Sequence, residues 1–271
     1  MLKDITLGQF FPGKSLLHRT DARFKILILI AFLVAVIAAK SLWAFVGVLV
    51  VTVAFVLLSH IPIKTVLGNM KPLIFILFFT GILNVFFYKG ETALVEWKFI
   101  TIYKEGLIYA GFMMLRLVCL VCGSFVILTY TTSPLDMTDA IEKLLSPLKA
   151  LHVPVHEFAM MMTIALRFIP TLVEETDKIM CAQKARGADM ESGGLLKRAK
   201  ALVPILIPLF VSAFRRADEL AEAMECRCYH GGMGRTRMKV MKSSFKDWAF
   251  LSLMLAFCVG VFFINAYGLA V

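Results

Sequence analysis

The chain has 271 residues, of which 59% are hydrophobic, including 23 Phe and 15 Met, and its mean hydropathy is +0.81. A soluble core does not need so many apolar side chains, so the composition predicts an integral membrane protein. The net charge of +10 would favour nucleic-acid binding in a soluble protein, but basic flanks of membrane helices account for it here, so we expect no nucleic-acid partner.

The first half of the chain contains four apolar stretches that follow a basic head. The head lacks a signal-peptide cleavage motif, and we expect it to lie along the inner membrane surface. Lys71-Pro72 is expected to break the helix before the third span, since proline cannot donate a backbone hydrogen bond. A mixed-sign segment, 89–105, suits the outer interface. The four predicted spans are 26–39, 41–59, 72–88 and 106–130.

The second half begins with a long charged segment, 131–246, which contains 17 of the 29 Lys and Arg residues. This excess predicts that the segment and the N-terminus are cytoplasmic and that the C-terminus is external to the cell membrane. The uncharged stretch 248–271 predicts a final span. The apolar run 201–214 is too short and too closely flanked by basic residues to be a further span.

The predicted fold class is therefore an all-α integral membrane protein with about five transmembrane helices and a helical module at the cytoplasmic surface. This module contains two long amphipathic helices. The predicted division is a membrane domain at 1–130, a cytoplasmic helical module at 131–246 and a final transmembrane helix at 247–271.

The two amphipathic helices each end in an arginine between small residues, and an apolar stripe leads to each arginine. Such an arginine is suited to enter a partner's groove, where its planar guanidinium forms two parallel hydrogen bonds. The alternative is a helix cap, because a cation and a glycine both suit a helix C-terminus. The two triplets are Ala185-Arg186-Gly187 and Cys226-Arg227-Cys228, and the stripes include Ile179 and Leu172 for the first and Leu220, Ala213, Leu206 and Phe210 for the second.

Arg116 is the only full charge within span four. It either faces the helix bundle or extends towards the outer headgroups, because a charge facing lipid at mid-membrane is costly. All six cysteines are expected to be free thiols, and no metal site is predicted. The ligand groups considered and set aside are Cys119 with Cys122, His152 with His156, and Cys226 and Cys228 with His230.

Several further motifs lie along the chain, namely Leu7-Gly8-Gln9 with Pro12-Gly13, Ser15, His18-Arg19 and Asp21-Ala22-Arg23 in the head, then 165–170, 182–187, 214–220 and 223–225. Taken together, these motifs make the chain resemble the transmembrane T component, EcfT, of energy-coupling factor (ECF) transporters. The second triplet departs from the family's usual Ala-Arg-Gly-like pattern, which leaves its backbone conformation open.

The resemblance implies a scaffold whose two coupling helices bind two ATP-binding subunits through Arg186 and Arg227. It also implies that a substrate-binding S component is held at the membrane-facing surface and rotates when the ATP-binding subunits close, carrying a vitamin or other micronutrient inwards. ATP and Mg would be used by the partner subunits, with no cofactor in this chain. We take Gly193 and Gly194, between the helices, as candidate hinge residues.

The chain is not expected to be an enzyme, because it has no phosphate-binding loop of the P-loop type and no set of acids or histidines clustered within the spans. An alternative function is a permease that carries substrate through its own membrane helices. That function would need polar groups converging at membrane depth, and the spans offer little beyond Arg116, Asn84 and Asn265.

Overall fold

The computed structural model describes residues 10–11, 13, 15–87, 93–97, 100–188, 194–231, 241 and 243–267. The chain forms two compact units whose boundary in sequence falls inside one helix, between Met137 and Thr138, and again between Val240 and Met241. The boundaries predicted at 130 and 246 separate residues within the membrane from cytoplasmic residues. That is a different criterion from compact packing, so these boundaries stay predictions.

The larger unit is a helical bundle. Its core contains the fully buried side chains of Phe32, Val48 and Tyr130. This unit also contains a π-helical turn at Phe125–Thr129. The helices are α1 (Leu16–Arg19), α2 (Ala22–Ala38), α3 (Leu42–Ser59), α4 (Ile63–Phe87), α5 (Lys104–Ser124), the first part of α6 (Pro134–Leu144) and α9 (Phe245–Tyr267).

Four segments in the described part of the chain are helical, long and apolar enough to cross a membrane: Leu42–Ser59, Met70–Phe87, Lys104–Thr129 and Phe245–Tyr267. The remaining predicted span corresponds to α2, whose 17 residues extend about 26 Å, slightly less than a hydrocarbon core of about 30 Å. The chain is thus an all-α integral membrane protein, and the count of five spans is approximate.

The expected helix break at Lys71-Pro72 is wrong. α4 begins at Ile63 and continues through Pro72 to Phe87. A proline removes only one backbone hydrogen bond, and long apolar helices tolerate that loss when the surrounding turns stay bonded. The residues Ile61 and Pro62 lie between the end of α3 and the start of α4.

A short β-hairpin follows α4, and the sequence analysis did not predict it. Strands β1 (Ala93–Trp97) and β2 (Ile100–Tyr103) pair antiparallel, with Trp97 opposite Ile100. The hairpin lies in the mixed-sign segment assigned to the outer interface and leads directly into α5.

Close packing between α2 and α5 depends on a glycine. A Cβ atom on Gly123 would lie 2.2 Å from the ring of Phe32, so no larger residue fits without displacing the ring. Lys25 is also buried in this unit and donates through Nζ to the carbonyl of Thr131 at 2.8 Å. Apolar packing and a buried, hydrogen-bonded lysine thus both stabilise the bundle.

The described residues of the head are organised around His18. Its Nδ1 accepts a hydrogen bond from the Ser15 hydroxyl at 2.6 Å, and its Nε2–H donates to the Phe11 carbonyl at 2.8 Å. The backbone N–H of Phe11 donates in turn to the Tyr130 carbonyl at 3.0 Å. These contacts attach the head to the end of the π-helical turn. Leu7, Gly8, Gln9 and Pro12 of the predicted head motif lie outside the described residues.

The second unit contains the rest of α6, a 3₁₀ turn (Ser146–Leu151) and two helices of 31 residues, α7 (Val155–Ala185) and α8 (Leu195–Glu225). Within it, Nδ1 of His156 lies 3.1 Å from the buried carboxylate of Glu142. α7 and α8 correspond to the two predicted amphipathic helices.

Candidate functional site

The C-terminus of α7 is closed by two backbone hydrogen bonds around a left-handed residue. The N–H of Ala188 donates to the carbonyl of Gln183 at 3.0 Å, and the N–H of Gly187 donates to Lys184 at 3.0 Å. Gly187 has a φ of 82°, which glycine adopts without steric cost. This is a Schellman motif, and Arg186 is the last residue before the left-handed position.

The C-terminus of α8 has the same motif at the matching residues. The N–H of Tyr229 donates to Met224 at 3.1 Å, and the N–H of Cys228 donates to Glu225 at 2.8 Å. Cys228 has a φ of 55°, so it takes the left-handed conformation without being glycine. The backbone conformation that the sequence left open is therefore the same at both ends, and Arg227 occupies the position of Arg186.

Both arginine side chains are exposed, as are the other residues of the two triplets, Ala185, Gly187, Cys226 and Cys228. Within the described ranges, neither guanidinium has an ion pair or side-chain hydrogen bond. The backbone caps each helix without either guanidinium, so all five N–H donors of each arginine remain available to another molecule.

α7 and α8 pack antiparallel. Glu175 contacts Ser212 and Arg216, whereas Gln183, further along α7, donates to the carbonyl of Pro204 at 3.3 Å. Later residues of α7 therefore meet earlier residues of α8. Arg186 is level with about residue 202 of α8, so the two arginines are separated by roughly 25 residues, or about 38 Å, along α8.

The apolar stripes leading to the arginines are divided between two environments. Leu172 of the first stripe and Ala213 and Leu220 of the second line a cavity of about 260 Å³ between the helices. Phe210 of the second stripe is 59% exposed, and the neighbouring Phe214 is 67% exposed. The stripes thus serve partly as the helix interface and partly as free surface.

The contact between α7 and α8 includes one polar cluster. The Ser212 hydroxyl donates to Oε1 of Glu175, and Nη2 of Arg216 lies 2.9 Å from Oε2. The Ser212 hydrogen bond, aided by the positive charge of Arg216, holds the pKa of the Glu175 carboxyl below its usual value, against an opposing effect of burial. Glu175 is therefore ionised at neutral pH and links the two helices.

Arg116 lies inside the bundle unit and bonds to the protein itself. Its Nη2 donates to the carbonyl of Ala39, the residue that ends α2, at 2.5 Å, and its guanidinium carbon lies 5.1 Å from the centre of the Phe45 ring. A cation at a helix C-terminus compensates the unpaired carbonyls there. Arg116 therefore connects α5 to the end of α2.

Asn265 of α9 completes this connection, a role that the sequence analysis missed. Its amide nitrogen donates to the Ala38 carbonyl at 2.6 Å, and its Oδ1 accepts from the N–H groups of Lys40 and Ser41 at 3.1 Å each. The available signal was a carboxamide in an otherwise apolar span, where an unpaired polar group is costly.

Comparisons with known proteins agree with this architecture. A family model described as cobalt transport protein, CbiQ, matches residues 13–240. A relative from Clostridium kluyveri, named energy-coupling factor transporter transmembrane protein EcfT, is 52% identical over 263 residues, covering 96% of this chain and 97% of the relative. The chain belongs to the EcfT family.

Two further EcfT relatives support the assignment. The Acidaminococcus fermentans protein is 54% identical over 241 residues, covering 88% of each chain, and the Bacillus subtilis protein is 42% identical over 266 residues, covering 98% of this chain and 100% of the relative. The resemblance drawn from the motifs is therefore confirmed. As an EcfT-family member with several apolar helices, the chain is a multi-pass membrane protein with a transporter role.

The remaining predictions for this EcfT-family chain concern the cysteines, the possible metal ligands and the hinge glycines. All six cysteines are free, as predicted. No group of three His, Cys, Asp or Glu side chains in the described ranges is arranged to hold a metal ion. Of the two candidate hinge residues, Gly193 lies outside the described residues, and Gly194 precedes α8 in an extended conformation, with a φ of −70° that any residue adopts.

Proposed function

We propose that this chain is the non-catalytic scaffold that couples ATP hydrolysis by two ATP-binding subunits to the reorientation of an S component in an ECF importer. The cargo would be a vitamin or another micronutrient bound by the S component. ATP and Mg²⁺ would be bound by the partner subunits. In this arrangement α7 and α8 lie on the cytoplasmic side, with the N-terminus inside and the C-terminus outside.

The observation that carries the proposal is the repeated arrangement at the ends of α7 and α8. Arg186 and Arg227 occupy the same position of the same capping motif, and each side chain is exposed. A planar guanidinium on a rigid helix end forms two parallel hydrogen bonds with a carboxylate or with carbonyl groups in a partner's groove. Each helix end would therefore bind one ATP-binding subunit.

The antiparallel packing supports two separate docking points. A separation of roughly 38 Å along α8 leaves room for one folded subunit at each arginine. Because the two subunits would dock at opposite ends of the helix pair, each would move a different helix. A movement of one subunit towards the other would then change the angle between α7 and α8.

The interface between α7 and α8 is suited to such a change. It combines the polar contacts of Glu175 with an open apolar cavity of about 260 Å³, and side chains that border open space can rearrange without displacing a packed neighbour. We propose that the helices shift at this interface when the ATP-binding subunits close, with 193–194 as the hinge.

The permease alternative is not favoured by the polar groups of the bundle. Arg116 and Asn265 bond to the ends of α2 and α3, and the Asn84 side chain donates to the Thr80 carbonyl within its own helix. These groups are used within the fold, whereas a substrate path through the spans needs polar groups that are free to exchange partners.

The test is a chain in which Arg186→Glu and Arg227→Glu are combined, expressed with the ATP-binding subunits and an S component. We expect co-purification of the ATP-binding subunits and substrate uptake to be lost, because both docking charges are reversed. A pull-down in mild detergent and an uptake assay measure the two effects. Recovery of the ATP-binding subunits at the wild-type level would refute docking through these residues.

Two control variants separate docking from folding. Arg215→Glu changes the charge of an exposed α8 arginine away from both helix ends, and it should leave subunit recovery close to wild type. Arg186→Lys keeps the charge but loses the two-pronged geometry, so it should reduce uptake at normal membrane expression.

A further inference from the structure

A cavity of about 490 Å³ lies in the bundle unit, where α1 meets the start of α9. Two cations line it, Arg19 at the end of α1 and Lys246 in the first turn of α9. Leu16, Phe250 and Leu253 make part of its wall apolar, and the lining is completed by Thr20, Ser244, Asp247 and Ala249. The cavity therefore combines positive charge with an apolar surface.

Both cations lack a bonded partner among the residues that the structure describes. The side chains of Arg19 and Lys246 are exposed, and across the described ranges neither has an ion pair or a side-chain hydrogen bond. Lys246 stands at the positive end of the α9 dipole, where a cation is unfavourable unless an anion neutralises it. A bound anion beside Lys246 would add to the favourable interaction that Asp247, in the same first turn, makes with this helix end.

One acidic residue, Asp247, also lines the cavity, but its carboxylate is buried and hydrogen-bonded at the start of α9. Its Oδ2 accepts the backbone N–H of Ser244 at 2.8 Å, and its Oδ1 accepts the N–H of Asp21 at 3.4 Å. Asp247 is buried, with 5% of its surface exposed. It stabilises the start of α9 and leaves Arg19 and Lys246 available.

The apolar wall distinguishes a lipid from a small anion. Leu16 is 57% exposed and Leu253 is 68% exposed, and both border the cavity. Leu253 belongs to a helix that is long and apolar enough to cross the membrane, so the wall of the cavity continues along a membrane-spanning surface. A free phosphate would satisfy the cations but would leave these leucines uncovered.

We propose that this cavity binds an anionic phospholipid, with its phosphate between Arg19 and Lys246 and its acyl chains against Leu16, Phe250 and Leu253. Basic pockets beside membrane helices are suited to such headgroups, since each nearby cation adds to the attraction for anionic lipid. The site is independent of the docking arginines, so it does not rest on the function proposed above.

The experiment compares the purified full chain with the variant Arg19→Gln/Lys246→Gln by native mass spectrometry in detergent containing phosphatidylglycerol or phosphatidylcholine. We expect the wild type to retain phosphatidylglycerol in preference to phosphatidylcholine. The double variant should bind phosphatidylglycerol roughly 25-fold more weakly, a factor of five for each cation removed. The control Lys64→Gln/Lys71→Gln removes the same charge from exposed positions of α4 and should keep wild-type binding.

Other outcomes overturn the proposal. Equal retention of the two lipids by the wild type, or equal loss of phosphatidylglycerol in the α4 control, would show that the cavity does not select an anionic lipid. Soluble glycerol phosphate and inorganic phosphate are tested as competitors. If either displaces phosphatidylglycerol at a similar concentration, the site binds a free anion and the acyl chains contribute nothing.

Discussion

Four arginines of this protein, two in each unit, have opposite surroundings. In the bundle unit, Arg116 donates to the carbonyl that ends α2 and lies against an aromatic ring, and Arg23 forms a 2.7 Å ion pair with Asp21. In the second unit, Arg186 and Arg227 end their helices in solvent, with no side-chain partner among the described residues. Arg116 and Arg23 therefore stabilise the chain's own fold.

This difference separates structural cations from candidate docking cations. A charge in an apolar bundle has to be paired within the protein, because neither lipid nor apolar side chains solvate it. A charge at an exposed helix end has no such requirement and is held in place by the helix alone. The partners available to each arginine therefore separate a structural role from a candidate docking role.

The largest stability effect should follow from Arg116→Met. The substitution leaves the Ala39 carbonyl without its donor, and the loss of a hydrogen bond to a charged group should lower the free energy of unfolding by about 1–3 kcal/mol. Thermal unfolding in detergent measures the change. The matched variant Arg186→Met should remain within about 0.5 kcal/mol of wild type. Equal losses in the two variants would contradict the distinction between the two kinds of arginine.

A smaller effect is expected at the left-handed residues that end α7 and α8. Cys228→Gly should stabilise the chain by about 1 kcal/mol, since glycine removes the cost of a side chain at a φ of 55°. Gly187→Ala should destabilise it by a similar amount for the converse reason. Thermal unfolding midpoints of the purified variants measure both changes.

Cys226→Gly is the control for the cysteine variant. Cys226 has a helical φ of −58°, so glycine at this position should be destabilising by up to about 1 kcal/mol. If Cys228→Gly were equally destabilising, the two helix ends would not share one capping geometry.

The smallest effect is expected for Glu175→Gln, which weakens the polar contact between α7 and α8. The pKa of Glu175 is lowered in the folded protein, so its contribution is present above its usual pKa of 4.5 and is lost as the pH falls below that value. The pair lies beside solvent, so the loss at neutral pH should be well below about 1 kcal/mol.

Thermal unfolding of wild type and Glu175→Gln as a function of pH checks this expectation. The difference between the two proteins should disappear as the solution is acidified below pH 4.5. Glu174→Gln, at an exposed neighbouring position, should match wild type throughout. A difference that grows on acidification would contradict the assigned pKa direction.

Several features could be predicted from residue patterns because they depend on local chemistry. Apolar length identified α3, α5 and α9, and amphipathic periodicity identified α7 and α8. The arginine triplets could be placed at the two helix ends for the same reason. Local rules failed at Pro72, where the expected break does not occur, and at the hairpin of β1 and β2, where no strand was expected.

Other features depend on residues that are far apart in the chain. Asn265 bonds to the ends of α2 and α3 across more than 220 positions, with separations of 224, 225 and 227 residues. Neither the partners of Arg116 nor the antiparallel register of α7 and α8 is encoded in any short motif. The left-handed conformation of Cys228 was also unpredictable from a triplet that lacks glycine.

The amino-acid sequence by itself determined that this is a helical membrane protein of the EcfT family, because hydrophobic length, charge distribution and family motifs are properties of the chain that need no folding to be read. Only the tertiary structure decided which arginines are bonded and which are free. A hydrogen bond requires its two atoms to lie within about 3 Å, and folding alone brings distant residues that close.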